Sequence, residues 1–416
     1  HTSPGLGSRG VGYPRAPGIG IGHPLSQRSA KNGVTIVRLA PPRLDPTFQL
    51  ICLAATALHT GPTLAQPPRE TNITPAIGMW YTVWWTQDNR YHHWTHCHVF
   101  PARGWYTAGD PKVIADHYAQ LRDIGVDFLV LDDTNCIGND GGRINDNIRA
   151  WFDFMDARPP VERIPMCIGS GGEMRAQGRT GQQRAADFYA NHWARRPSYF
   201  QLDGKPLLLV DTDKNYGPGD WDDPRFTVRW AYNGDNHAAM KQRQTWGWGS
   251  YEPAPVLDEC MSIWPGHRFP GSVARQGKDP LEEPREGGQL YVRMWLRVLK
   301  ARPRFVTVAD YNNFEEETAI EPSYTWEDPR GHAVPDLYVR ITRAYARLRT
   351  GILVAGEYYR DEDKPEVYLY DNHKLVHQGA MPRRAVVILT PSGMLDQIRQ
   401  RTNTGTTPAA PEIKPQ

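Results

Sequence analysis

Between Ile77 and Ala309 short β-like runs alternate with helical or irregular stretches, eight times over. This alternation limits the chain more than any other feature. The runs are Ile77–Trp85, Phe128–Leu131, Ile164–Ile168, Leu207–Val210, Thr227–Ala231, Thr245–Trp248, Met261–Trp264 and Phe305–Ala309. The stretch "DPKVIADHYAQLRDIG" offers Asp110 as an N-cap, Pro111 in the first turn and Gly125 as a stop. "NDNIRAWFDFMDA", "GQQRAADFYANHWARR", "GGQLYVRMWLRVLKA" and "VPDLYVRITRAYARLRTG" carry helical apolar spacing. Strands alternating with helices predict an α/β fold, and eight such units predict a (β/α)8 TIM barrel over residues 73–350. The helices after the fifth and sixth strands are weakly marked, so the barrel is expected to be irregular there. No internal repeat is found.

The ends differ from this middle. Residues 1–36 are rich in Gly, Pro, Ser and Arg without periodicity, which predicts a disordered leader. Residues 37–65 have the form of a signal peptide: Arg38 and Arg43, the apolar stretch Phe48–Leu58, and small Thr63 and Ala65 before Gln66. An exported protein, secreted or periplasmic, is expected. The apolar stretch is too short for a membrane span. Residues 351–400 hold two β-like runs, "EVYLYDN" and "AVVILTP", and predict a small C-terminal β appendage. Residues 401–416 predict a disordered tail. A net charge of +2 excludes the basic footprint of a nucleic-acid partner. Cys97, Cys136, Cys167 and Cys260 match no zinc spacing; disulfides and buried thiols both stay open.

In a TIM barrel the chemistry sits where strands end at their C-terminal side. Those ends carry Tyr81, Trp85, Asp132, Asp133, Asp211, Trp248, Trp264, Asp310, Asn312, Asn313 and the run Glu315–Glu317. Carboxylates, amides and aromatic faces on one rim have the composition of a glycosidase cleft, where two carboxyl groups share acid and base work. Trp is abundant, at 14 residues, and its rings stack on sugars as readily as they fill cores. His92, His93, His96 and His98 lack the i, i+4 zinc pair with a glutamate base, so no metal and no cofactor are assigned.

Four stretches carry a family likeness: "WYTVWW" with "YHHWTH", "GDPKVIADHYAQLRDIGVDFLVL", "RPSYFQLDGKPLLLVDTD" and "RPRFVTVADYNNFEEETAIEP". Over Gly78 to Leu348 the chain resembles glycoside hydrolase family 99, the endo-α-mannosidases, and its family 99-like and 71-like relatives. The resemblance implies that Glu316 is the general acid and that His93 and Trp94 contact sugar. It also places Asn313 where the family has the glutamate that assists the sugar 2-hydroxyl, and Gly169 near a second acidic position. Neither residue can take a proton. One of Asp132 and Asp133 is therefore expected to supply the second carboxylate.

The expectation is an exported glycoside hydrolase cleaving an α-linked oligo- or polysaccharide, mannan-like or other. Its catalytic residues are Glu316 with Asp132 or Asp133. Its substrate contacts are Tyr81, Trp85, His93, Trp94, Asp211, Trp248, Trp264, Asn312, Asn313 and Glu315. The alternatives are a non-catalytic glycan-binding barrel and an enzyme of surface-polysaccharide assembly.

Overall fold

The computed structural model describes residues 74–87, 93–138, 142–212, 216–232, 245–257, 259–271, 277–279, 282–379 and 386–403. The expected leader, the expected signal peptide and positions 404–416 of the expected tail lie outside the described residues. No helix among the described residues is long and apolar enough to cross a membrane.

The strands are β1 (Ala76–Thr82), β2 (Phe128–Asp132), β3 (Met166–Ser170), β4 (Lys205–Thr212), β5 (Thr227–Tyr232), β6 (Thr245–Gly247), β7 (Cys260–Ile263) and β8 (Phe305–Val308). They form a nearly closed parallel barrel in chain order, with β8 returning to pair with β1. Side chains of β2 and β3 are buried throughout. This is why their sequences are apolar without alternation: one face lines the barrel and the other meets helices.

Among the described residues, five helices cover the outside: α1 (Pro111–Ile124), α2 (Arg143–Asp156), α3 (Gly172–His192), α4 (Gln289–Ala301) and α5 (Leu337–Leu348). The caps of α1 are those its sequence announces. Asp110 accepts from the backbone N–H groups of Lys112 and Val113 at 2.8 and 3.2 Å, and Gly125 takes a left-handed conformation. α4 and α5 pack through Trp295 and Tyr345, whose rings stack 5.6 Å apart.

Among the described residues, the seam between β6 and β7 has no backbone ladder. The connection there is short and carries a two-residue strand, Val256–Leu257, folded back antiparallel onto β7. Side chains close the gap instead. Ser262 Oγ donates to the Gly247 carbonyl at 2.7 Å, and Thr307 Oγ1 donates to the same oxygen at 3.2 Å. Gly247 is needed for this approach, since a Cβ there would lie 2.6 Å from Ser262 Oγ.

After α5 come β9 (Tyr358–Asp361), β10 (Val367–Asp371), β11 (Lys374–Gln378) and β12 (Val387–Thr390), in the sheet order β11-β10-β9-β12, and then α6 (Met394–Asn403). β10 and β11 form a hairpin whose turn residues, Asn372 and His373, both have positive φ. This sheet docks on α5 through a two-bonded Arg340–Glu357 pair at 2.9 and 2.8 Å and the Tyr345 hydroxyl on the Leu389 carbonyl. Cys97, Cys136, Cys167 and Cys260 are free thiols.

Candidate active site

The chain leaving β8 makes a tight turn. The Asn313 carbonyl accepts from the N–H groups of both Thr318 and Ala319 at 3.1 Å. Arg285 braces this turn from outside, donating to the Glu317 carbonyl and, at 2.8 Å, to the Ala319 carbonyl. Its guanidinium lies over the rings of Trp326 and Tyr338. The turn solves the problem of three consecutive glutamates by sending them apart. Glu315 faces His93 and His96 at 3.4 and 3.3 Å. Glu317 approaches Arg268 at 3.9 Å. Glu316 turns back on Asn313, whose Nδ2 donates to Glu316 Oε2 at 2.7 Å.

Glu316 belongs to a group of carboxyls. Burial pushes its pKa up to about 8, Asp310 adds to this, and the Asn313 amide opposes it. Asp310 is also held at about 8, by burial first and by Asp132 second. Both of its oxygens are engaged: Trp248 Nε1 donates to Oδ1 at 3.2 Å and Thr318 Oγ1 to Oδ2 at 2.8 Å. Asp132, the last residue of β2, is raised to about 7 by burial; the Thr134 hydrogen bonds work against this and Asp211 works with it. The Thr134 N–H donates to Asp132 Oδ1 at 3.0 Å. Asp211 carries an ion pair with Arg175, and Arg175 also donates to the Thr134 carbonyl at 3.0 Å. Carboxyls from β2, β4 and the β8 exit thus act on one another electrostatically, with Arg175 as a cation beside Asp211 and Asp132.

Asp133 is not part of this group. Neighbouring residues of a strand point to opposite faces. With Asp132 inward, Asp133 is turned out against α3, where Tyr189 donates to its Oδ2 at 2.8 Å. Burial holds its carboxyl well above the ordinary range. Of the two expected aspartates, Asp132 interacts with the carboxyl group and Asp133 is bonded to α3.

Several expected substrate contacts are framework instead. Trp85 and Trp94 are completely buried and stack on each other at 3.9 Å. Trp85 Nε1 donates to the Asn312 carbonyl and Trp94 Nε1 to the Tyr106 carbonyl. Asn312 clamps β1 to the β8 exit: its Oδ1 accepts from Thr82 N–H at 2.8 Å and its Nδ2 donates to the Thr82 carbonyl at 3.0 Å. Tyr81 faces outward into a buried chain of hydrogen bonds through His117 to Glu321, which Tyr106 also reaches. Trp264 is buried against His267, with its indole N–H on Glu283. Partial exposure is kept by His93, Glu315 and Glu316. Trp248 and Asn313 are bonded to Asp310 and Glu316, and Asp211 is paired with Arg175.

Gly169, near the family's second acidic position, has no room for a side chain; a Cβ there would sit 2.3 Å from the Trp80 ring. Two members of this cluster carry no role in the sequence reading. Asp310 stands at the end of β8 and was overshadowed by the glutamates after it. Arg175 lies in the first turn of α3, which begins nine residues before the apolar pattern that marks this helix in the sequence.

No family model matches the chain, and no curated protein matches it in sequence. Among solved structures it is similar to the GH99 endo-alpha-mannosidase from Bacteroides thetaiotaomicron, with TM-score 0.52 and 13% identity over 66% of this chain and 97% of that one. A second structure of the GH99 endo-alpha-mannosidase from that organism, in complex with bis-tris propane, gives TM-score 0.51 and 15% identity over the same shares of the two chains. The chain therefore has the barrel fold of the family 99 glycoside hydrolase structures.

Proposed function

We propose that the protein is a glycoside hydrolase acting on an α-linked glycan, a mannan or a related polysaccharide, with Glu316 as general acid and Asp132 as the second carboxylate. The observation that carries this reading is the Glu316 carboxyl. It sits at the C-terminal end of the barrel, partly open to solvent, and holds its proton to about pH 8. Protonating a glycosidic oxygen requires such an acid. Burial raises Asp132 as well, while the Thr134 hydrogen bonds and the nearby Arg175 cation favour its charged form, which suits a base or nucleophile opposite a protonated acid. Asp310, bonded at both oxygens, positions the loop that bears Glu316. The α linkage rests on the fold shared with structures named endo-alpha-mannosidase. Asn313 replaces an acid by an amide, so catalysis through a base at that position is not part of this reading.

A panel of α-linked polysaccharides, mannans included, incubated with wild type and Glu316→Gln tests the proposal. The expected result is new reducing ends from at least one glycan, lost with Glu316→Gln by a factor on the order of 10²–10⁴. Glycan binding without cleavage, unchanged in Glu316→Gln, would overturn it in favour of a binding barrel.

A further inference from the structure

We propose that His93, His96 and Glu315 form a binding site for one divalent cation of the zinc class at the rim of the barrel. Two imidazoles and a carboxylate are a protein ligand set of open zinc sites. The imidazoles also select this class over calcium or magnesium.

The backbone prepares the arrangement. His93–His96 is a single 3₁₀ turn, in which residues three apart eclipse, so both imidazoles leave from one side. Trp94, between them, points the other way into the core and stacks on Trp85. The Cys97 N–H donates to the Trp94 carbonyl at 3.3 Å and closes the turn. The turn is thus fixed by residues that take no part in coordination.

The third ligand arrives from the β8 exit. His93 Nδ1 lies 3.4 Å from Glu315 Oε2, and His96 Nδ1 lies 3.3 Å from Glu315 Oε1. Around a tetrahedral metal with bonds of about 2.0–2.1 Å, adjacent ligand atoms are about 3.3–3.4 Å apart. Each imidazole stands at that spacing from one carboxylate oxygen, and one ligand atom from each of the three residues lies within 4.8 Å of the others, so small side-chain rotations bring all three onto one ion. A hydrogen bond would account for one imidazole on the carboxylate. Two imidazoles presenting the same ring nitrogen to its two oxygens make a three-ligand set. His96 is 62% exposed, which leaves a path for the ion, and the fourth position is open to water or a sugar hydroxyl.

The site does not depend on the hydrolase reading, because it is tested without sugar. The full chain, stripped with a chelator, is titrated with Co²⁺ and followed by visible d–d absorption, and then with Zn²⁺ as competitor. One Co²⁺ per chain with a tetrahedral-type spectrum, displaced by Zn²⁺, is expected. His96→Ala and Glu315→Gln should each weaken binding on the order of a hundredfold. His332→Ala, at a histidine paired with Asp328, should not. Because His96 is mostly exposed, its variant is expected to keep the wild-type melting curve. No cobalt spectrum, or equal affinity in wild type and His96→Ala, would overturn the proposal.

Discussion

Asn313 and Glu316 hold each other through two hydrogen bonds across three residues: Asn313 Nδ2 donates to Glu316 Oε2 at 2.7 Å, and the Glu316 N–H donates to Asn313 Oδ1 at 3.1 Å. One bond fixes the backbone, as Asn side chains do in turns, and the other aims the carboxyl. The second also favours the charged form of Glu316, so it moderates a pKa that burial alone would place higher.

The direction of a change at Asn313 follows from that role. Asn313→Ala removes the donor, so Glu316 keeps its proton to higher pH and the alkaline limb of the rate profile moves upward. The looser turn should also lower kcat. A kcat/KM profile for wild type and variant checks both, and an alkaline limb that stays or falls would show that the amide does not act on the carboxyl.

The two aspartates of "DD" should separate cleanly. With Asp132 near 7 and Glu316 near 8, wild-type activity is expected to be bell-shaped and narrow, with macroscopic limbs belonging to the coupled group. Asp132→Asn should remove the acid-side limb and reduce kcat on the order of 10²–10⁴-fold. Asp133→Asn should leave the profile in place, since Tyr189 can donate to an amide oxygen as it does to the carboxylate. Similar losses from both variants would contradict the assignment of inward and outward faces.

These contrasts mark where the sequence stops being informative. Runs such as "FLVL" and "LLLV" announce buried parallel strands because both faces need apolar residues, and "DP" with a glycine stop announces α1. Period-two alternation says that Asp132 and Asp133 face opposite ways, but only the barrel register says which is inside; Asp132 pairs across from Thr82. Trp85 and Trp94 look the same in sequence whether they stack on a sugar or on each other. The pairing of Glu315 with His93 joins positions 222 apart, a contact that no local spacing rule contains. A short helical segment, broken by a kink at Gly178 (φ 64°, ψ -156°), precedes the part of α3 that the sequence announces, and Arg175 is hidden in it.

The stacked pair Trp85 and Trp94 should behave as core. Trp85→Ala would open a cavity, orphan the Asn312 carbonyl and unseat the neighbouring indole; a loss of about 3–5 kcal/mol is expected. Urea unfolding measures this as a lower midpoint. A variant with wild-type stability but weakened glycan binding would return Trp85 to the substrate.

The carboxyl group should also leave a mark on stability. Asp132, Asp310 and Glu316 have folded-state pKa values of about 7, 8 and 8, against ordinary values of 3.8, 3.8 and 4.5. Between those limits the native state binds more protons than the unfolded chain, so stability falls as pH rises. The contribution is intact below about pH 4 and is lost progressively through about pH 8. Ion-paired Glu252 and Asp328, whose pKa values are lowered, act in the opposite sense and only at the acid end, where their protonation weakens the fold. The melting temperature should therefore peak in mildly acid solution and decline toward pH 8. Glu316→Gln replaces one of these protons by a permanently neutral amide, so its decline between pH 5 and 8 should be shallower than that of wild type. Calorimetric scans of both proteins at several pH values provide the test; a wild-type melting temperature that rises steadily from pH 5 to 8 would mean that the three carboxyls are ionised in the folded protein.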